Sequence, residues 1–544
     1  MVVQHLELPY GSELLPSLLL AKVSNSTKRA IPVGEEASDN LSVTNQSFKD
    51  GLGLVSSNQT SVQNKGGNIG ELKDGGSSVG NGMQERPRDA EQNVSSNGFS
   101  ERGNFSRPSN QNGSSDSGLA PVTSAEKNTY SGPNGVASSS SGVVMPIAKM
   151  DDMLHQSYSS PHSLPSQFYT KVDKNLVEAR SHIENSPIIH NDTDLHAPLY
   201  RNLSMFKRSY EIMEGQLKVY IYKEGEKPIF HDFILDGIYS SEGWFLKLLE
   251  ANKQFVTQDP GEAHLFYFPF SSRLLQLTLY KKRSHNRKNL IQYMENYLEM
   301  LIAKYPYWNR TDGADHFLAA CHDWAPSETR GRMLNCIRAL CNSDVTKGFA
   351  VGKDVSLPTI YVQSPQNPLR DIGGNPPLER PILAFFAGYM HGKVRPVLLQ
   401  HWGNDPDMRI ITRMPHVKGN KNYIDNMRSS KYCICPRGYE VNSPRVVESI
   451  FYECVPVIIS DNYVPPLFEV LNWESLAVFI LERDIPNMKS ILLSISEEKY
   501  LEMQNRVKWV QKHFLWHAEP LKYDMFHMIL HSIWYNRVFQ IAPV

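Results

Sequence analysis

The chain has 544 residues, with 56 Lys and Arg against 57 Asp and Glu, for a formal net charge of −1. Near neutrality excludes a bulk electrostatic polymer binder of the histone type. A hydrophobic content of 40%, with no run of 18 apolar residues, excludes a polytopic membrane protein.

Residues are unevenly distributed along the chain. All eight Trp lie at or after Trp244, all six Cys at or after Cys321, and 16 of the 34 Gly between Gly51 and Gly142. The opening stretch carries one short apolar patch, Leu14–Ala21, without a basic leader or a clear small-residue cleavage site, so it does not read as a signal peptide. Residues 1–145 are rich in Ser, Asn and Gly, as in Gly51–Asn58, Gly66–Gly80 and Ser138–Ser141. Such a segment buries too little apolar area to offset the entropy of ordering, and a disordered stem is expected. Residues 146–204 read as a transition segment with a short helix near Val172–Glu184.

From Met205 onward short apolar runs alternate with amphipathic stretches. Strands are predicted at Lys218–Tyr222, His264–Phe268, His316–Ala320, Thr359–Val362, Ile382–Ala387, Met408–Thr412, Lys431–Cys435, Val455–Ser460 and Ala477–Ile480. Helices are predicted at Gly243–Lys253, Lys288–Lys304, Gly331–Cys341, Lys393–Trp402, Lys421–Ser429, Pro444–Cys454 and Glu497–His513. Continuous apolar strands suit buried parallel sheets, and strand–helix alternation gives an α/β fold with doubly wound sheets. The length suits two such domains, 205–375 and 376–544, divided in the Pro- and Gly-rich loop Gln363–Arg380. Two tandem parallel sheets place a ligand cleft between them.

Six Cys allow either disulfides or buried thiols, and Cys336 and Cys341 are close enough for a local bridge. Cys433 and Cys435 alternate along a strand, so they point to opposite faces and do not make a zinc site. Of the Asn-x-Ser/Thr triplets, Asn309 is the one set in the folded part. The basic run Lys281–Lys288 fits a nuclear-import patch, an acidic-polysaccharide contact or a solvated loop. Trp244, Trp308, Trp324 and Trp402 are candidates to stack on sugars, though core or groove wall is the plainer expectation. No Gly-x-Gly-x-x-Gly follows a predicted strand, which disfavours a nucleotide-dependent oxidoreductase.

The chemistry concentrates in Lys431–Asp461, KYCICPRGYEVNSPRVVESIFYECVPVIISD, which reads strand, loop, helix, strand. Gly438 permits a tight turn, Asn442 or Ser443 can cap the helix, and Pro444 fits its first position. A helix start at the carboxyl end of a parallel strand favours a phosphate. Arg445 adds a bidentate donor for its oxygens, and Glu448 two acceptors for ribose hydroxyls. On spacing alone, Arg445 and Glu448 read more simply as a helix-surface ion pair worth ~0.3–0.5 kcal/mol.

That stretch, together with Phe385-Phe386-Ala387-Gly388, Arg395 and Asp315-His316, resembles the exostosin-like family of inverting glycosyltransferases, most closely its plant cell-wall branch. The resemblance runs from about Gln216 to Ile541. It implies the GT-B architecture, two Rossmann-like domains facing across a cleft, with the nucleotide-sugar in the C-terminal one and a closing helix near Tyr523–Tyr535. By this resemblance Arg395 and Arg445 hold the diphosphate, Glu448 the ribose, and Gly388 lets backbone approach the donor; Arg437, Gly438, Ser443 and Asp461 complete the nucleotide-sugar site. Asp315 and His316 are the implied catalytic residues, within a candidate group for the base that includes His322 and Asp323.

The resemblance implies transfer of a sugar from a UDP-sugar to a cell-wall polysaccharide, with inversion. No metal or other cofactor is expected: Asp192-Thr193-Asp194 and Asp405-Pro406-Asp407 are more simply accidental than metal-bridging triplets. The implied location is the Golgi membrane, lumenal face, single-pass type II, with a signal-anchor whose helix would end just before this chain starts. Implied partners are the UDP-sugar, the polysaccharide and other transferase subunits, with no nucleic acid. The alternative is a non-catalytic family member that stabilises an active transferase.

Overall fold

Two all-parallel sheets account for the alternating pattern. The computed structural model describes residues 144–159, 170–282, 284–369, 372–415 and 421–542, so the predicted stem, apart from its last two positions, lies outside the described residues. The first sheet holds β1 (Val219–Ile221), β2 (Val256–Thr257), β3 (Leu265–Tyr267), β4 (His316–Ala320), β5 (Ile337–Leu340) and β6 (Val355–Ser356), in the order β2-β1-β3-β4-β5-β6. The second holds β7 (Ile382–Ala387), β8 (Met408–Ile411), β9 (Ser430–Pro436), β10 (Val455–Ile459) and β11 (Val478–Phe479), in the order β11-β10-β9-β7-β8. Strands β3, β4, β5 and β10 are buried along their whole length, as continuous apolar runs between helical layers require.

Ahead of the first sheet lie α1 (Ile147–Ser159), α2 (Lys171–Glu184) and α3 (Leu203–Gln216), with α4 (Ser240–Ala251), α5 (Ser272–Leu279), α6 (Lys288–Lys304) and α7 (Ala325–Glu328) among its strands. The second sheet carries α8 (Val394–Trp402), α9 (Lys421–Arg428), α10 (Arg445–Phe451), α11 (Met488–Ser494) and α12 (Glu497–Val510). The last helix, α13 (Met525–Gln540), starts at an Asp524 cap and is buried from Met525 to Phe539. It packs on α2, α3, α4, β5 and β6, so the C-terminus returns to the first sheet. The transition segment is more ordered than expected: Leu176, Ala179 and Ile183 of α2 join the main core.

Two elements differ from the sequence reading. Gly331–Cys341, predicted helical, is a short 3-10 turn followed by β5. Met333, Ile337 and Leu340 have helical spacing, and Arg338 breaks the apolar run; yet Arg338 is buried, its charge met by Asp354 at 2.6 Å. Thr359–Val362 forms no strand beyond a single bridge from Val362 to Gly237, and the edge of the sheet is β6 instead.

Two disulfides form, Cys321–Cys341 and Cys433–Cys454, while Cys336 and Cys435 are buried free thiols. The suggested Cys336–Cys341 bridge is therefore replaced by one joining the carboxyl ends of neighbouring strands β4 and β5. Cys433 and Cys435 do lie in different hydrophobic clusters, on opposite faces of β9. Among the described residues no helix is long and apolar enough to cross a membrane.

Candidate active site

In each sheet the chain reverses direction of winding once. In the second sheet β8 lies on one side of β7 and β9 on the other, so the switch falls between β7 and β9. Loops leaving the carboxyl ends of two such strands diverge and open a crevice, the usual ligand position in open parallel sheets. Gly388 and Arg395 follow β7; Arg437, Gly438, Ser443, Arg445 and Glu448 follow β9. The topology therefore gathers seven of the predicted donor-site residues at the ends of two adjacent strands.

At the centre is an unusual pair of cations. The Arg395 and Arg445 guanidinium carbons sit 5.7 and 5.1 Å from the centre of the same Phe386 ring. Their partners are carbonyl oxygens: Arg395 donates to Tyr389 O at 3.1 Å and Pro436 O at 3.4 Å, and Arg445 Nη2 to Ala387 O at 2.9 Å. Neither meets a carboxylate among the described residues. The buried Arg395 Nε has no hydrogen-bond partner among the described residues. Burial first, and Arg445 second, pull the Arg395 pKa down to about 10. Two positive groups held together in a partly dry site are stabilised by a bound anion.

Glycines let this arrangement close. A Cβ on Gly388 would lie 2.4 Å from Arg445 Nη2, so any side chain there displaces the guanidinium. Gly392 has φ +73°, and a Cβ on it would lie 2.0 Å from Gly438 O, so the loops after β7 and β9 touch backbone to backbone.

Other predicted residues take different places. Glu448 forms no ion pair with Arg445; its Oε2 accepts a hydrogen bond from Tyr423 at 2.7 Å. Helix α10 starts at Arg445, with Pro444 in the cap position and no side-chain cap, so neither Asn442 nor Ser443 caps it. The buried Ser443 Oγ has no protein partner. Arg437 Nη1 donates to Glu482 Oε1 at 3.2 Å, the Asp461 amide donates to the same Oε1, and the Glu482 amide donates to Asp461 Oδ1. Arg437 and Asp461 thus group around Glu482 rather than with the paired cations.

Asp315 and His316 lie apart from the paired arginines. They lie at the amino end of β4, the end opposite the crevice side of a parallel sheet, and neither has accessible surface. Asp315 accepts from Arg310 Nε at 2.9 Å and Thr311 at 2.6 Å. His316 Nδ1 donates to Asp315 at 2.7 Å, and its Nε2 pairs with the Tyr222 hydroxyl at 2.8 Å. Burial alone would raise the Asp315 carboxyl, but His316 and Arg310 outweigh it and hold it well below the usual carboxylate range. The side-chain polar atoms of both residues are thus engaged inside the core, where the pair braces β4.

The other two candidates, His322 and Asp323, follow the carboxyl end of β4. The His322 ring packs against Tyr239 and Trp324, at 4.9 and 5.0 Å between centroids. Burial, with Arg273 and Arg287, pushes its pKa down to about 3, so it is neutral. Asp323 is half-buried, and burial followed by the Glu440 carboxylate raise its pKa.

Sequence reasoning missed an aromatic ladder. Tyr389 and Tyr439 are 66% and 72% exposed, and each stacks on His391, at 5.8 and 4.9 Å. The signal was present as a repeated Gly-Tyr, Gly388-Tyr389 and Gly438-Tyr439, one after each strand that flanks the crevice. Conversely, Trp244 and Trp308 are core residues.

Both Asp-x-Asp triplets are turns. Asp192 accepts from the Asp194 and Leu195 amides and pairs with Lys207. Asp405 accepts from the Asp407 and Met408 amides, and both carboxylates of the triplet pair with Lys489.

Two parallel sheets and a cationic crevice at a switch point define an α/β protein suited to a phosphorylated ligand. The chain belongs to the Exostosin GT47 family, whose domain model matches residues 213–495. It is 45% identical to "Probable glycosyltransferase At5g03795" of Arabidopsis thaliana over 376 residues, covering 68% of this chain and 72% of that one. It is 30% identical to "Probable glucuronosyltransferase GUT1" of rice, covering 53% of this chain and 73% of that one. With "Probable beta-1,4-xylosyltransferase IRX10" of Arabidopsis thaliana it shares 27% identity, over 59% of this chain and 82% of that one. The protein is a glycosyltransferase.

Proposed function

We propose that this glycosyltransferase moves a sugar from a UDP-sugar to a cell-wall polysaccharide with inversion at the anomeric carbon, and that it works in the Golgi lumen. The observation that carries this reading is the Arg395–Arg445 pair, two cations at a switch point that lack a carboxylate partner among the described residues. A diphosphate supplies the missing negative charge. In the transfer, the acceptor hydroxyl attacks from the face opposite the diphosphate, and the departing phosphate oxygen takes up the bond pair. Preorganised guanidinium groups stabilise that charge as it develops.

The ribose is placed at Glu448, beside Tyr423, and the sugar beyond the diphosphate near Gly438. The acceptor approaches from the first sheet across a cleft. Loops at the carboxyl ends of both sheets meet: Asn442 Nδ2 donates to Thr359 at 3.0 Å, and Ser343 Oγ to Val464 O at 2.7 Å. The relatives named as glucuronosyl- and xylosyltransferases favour a pentose or uronic-acid donor and a polysaccharide acceptor. Two disulfides favour an oxidising compartment, and Asn309 is exposed, as glycosylation there requires.

The test is UDP release by the full chain with UDP-xylose, UDP-glucuronic acid and UDP-galactose, each offered xylan and xyloglucan oligosaccharides. One active pair with an inverted product supports the reading. UDP binding without release from any pair favours a non-catalytic partner subunit, and absence of UDP binding overturns the site itself.

A further inference from the structure

With Asp315 and His316 buried at the amino end of β4, the acceptor's proton calls for a carboxylate at the other end of that strand. Four carboxylates lie near the carboxyl edge of β4. Glu242 is enclosed, accepting from Ser271, Ser272 and the amides of Arg273 and Cys321. Glu328 is buried with both oxygens out of reach of solvent. Glu440, from the loop after β9, is tied to Lys347 and to Asn342. Asp323 alone of these is half-exposed and outside any ion pair among the described residues.

Its position relative to the crevice is fixed by two devices. Asn342 Nδ2 donates both to Asp323 O at 3.0 Å and to Glu440 Oε2 at 2.9 Å, so one amide ties the end of β4 to the loop that carries Gly438. The Cys321–Cys341 disulfide lies two residues before Asp323 and one before Asn342, and clamps the two strand ends that present them.

We infer that Asp323 is the catalytic base, the group that takes the proton of the acceptor hydroxyl. This rests on the transfer reading above. As the acceptor oxygen bonds to the anomeric carbon, the bond from that carbon to the diphosphate oxygen breaks. Its electron pair goes to the diphosphate beside Arg395 and Arg445, and the hydroxyl proton goes to the Asp323 carboxylate. The groups facing Asp323 set its basicity. Glu440 raises its pKa, while Tyr239 before α4, Arg273 of α5 and Lys347 after β5 lower it, and burial is the largest effect. A carboxylate above its ordinary value of 3.8 is a stronger base for this step. The active form is the deprotonated one, so the rate falls as pH drops through that raised value.

The experiment compares wild type and Asp323→Asn on whichever donor–acceptor pair is active in the UDP-release assay, with UDP titration calorimetry and thermal unfolding as controls. The expected result is a fall in kcat of about 10²-fold or more, UDP affinity unchanged within twofold, an unaltered melting temperature, and loss of the acid limb of the pH–rate profile. Asp323→Glu should restore part of the rate. An Asn variant within tenfold of wild type, or a parallel loss of UDP affinity, would overturn the assignment while leaving the transferase reading intact. If the Asn variant fails to fold, the wild-type profile decides: no acid limb between about pH 4 and 7 sinks the assignment. A wild-type chain that neither binds UDP nor releases it removes the reading beneath both.

Discussion

Four arginines of this molecule show two ways of holding a guanidinium, and the contrast bears on folding and function. Arg338 and Arg310 are matched to the carboxylates of Asp354 and Asp315, both without exposed side-chain surface. Arg395 and Arg445 are matched only to backbone carbonyls and to one another's aromatic support, Phe386. The first group neutralises buried charge on the spot. The second keeps positive charge in reserve at a place where the topology opens a crevice. A guanidinium that already has a carboxylate has little to offer a ligand.

This contrast can be broken or sharpened by substitution. The largest effect is expected at Arg338→Ala. Removing one partner of a buried ion pair leaves Asp354 with only the half-exposed Lys353 as a cation among the described residues, and the cost is about 3 kcal/mol of stability; chemical denaturation should show it, with the soluble fraction reduced. Arg445→Ala should do the reverse. UDP affinity falls by about 1–3 kcal/mol as charge-assisted contacts to the diphosphate are lost, while the denaturation midpoint barely moves. An Arg445→Ala chain that unfolds as readily as Arg338→Ala would erase the distinction.

A smaller loss is expected at Gly388→Ala. The new methyl must push Arg445 Nη2 aside, so calorimetry should show weakened UDP binding of about 1 kcal/mol with near-normal stability. Glu448→Gln should be milder still, about 0.5–1.5 kcal/mol in UDP affinity for a weakened hydrogen bond to ribose, and should leave inorganic pyrophosphate binding untouched. His316→Ala belongs with the stability group: its effect should appear in the melting temperature, and the fraction that folds should keep its kcat.

Much of this was legible in the sequence, for reasons that can be named. β4 and β7 were predicted end to end because continuous apolar runs have no other use at that length. The gathering of Gly388, Arg395, Gly438 and Arg445 at two adjacent strand ends was legible because each is read by chemistry and by position after a strand. The burial of Asp315 and His316 was not legible because a polar pair beside a strand looks the same from sequence at either end of it. Only the strand direction and the partners Arg310, Thr311 and Tyr222 show that it is the closed end. β5 was missed because Arg338 hides a buried strand, its partner Asp354 lying sixteen residues away. The pairing Cys321–Cys341 was invisible for the same reason, since strand order decides which cysteines are neighbours.

The central claim is that Arg395 and Arg445 hold a pyrophosphate group. Titration of UDP into wild type and into the Arg395→Ala/Arg445→Ala double variant tests it directly. The account predicts a saturable heat in wild type and none at the same concentrations in a double variant whose melting temperature matches. Equal affinity in the two proteins would contradict it.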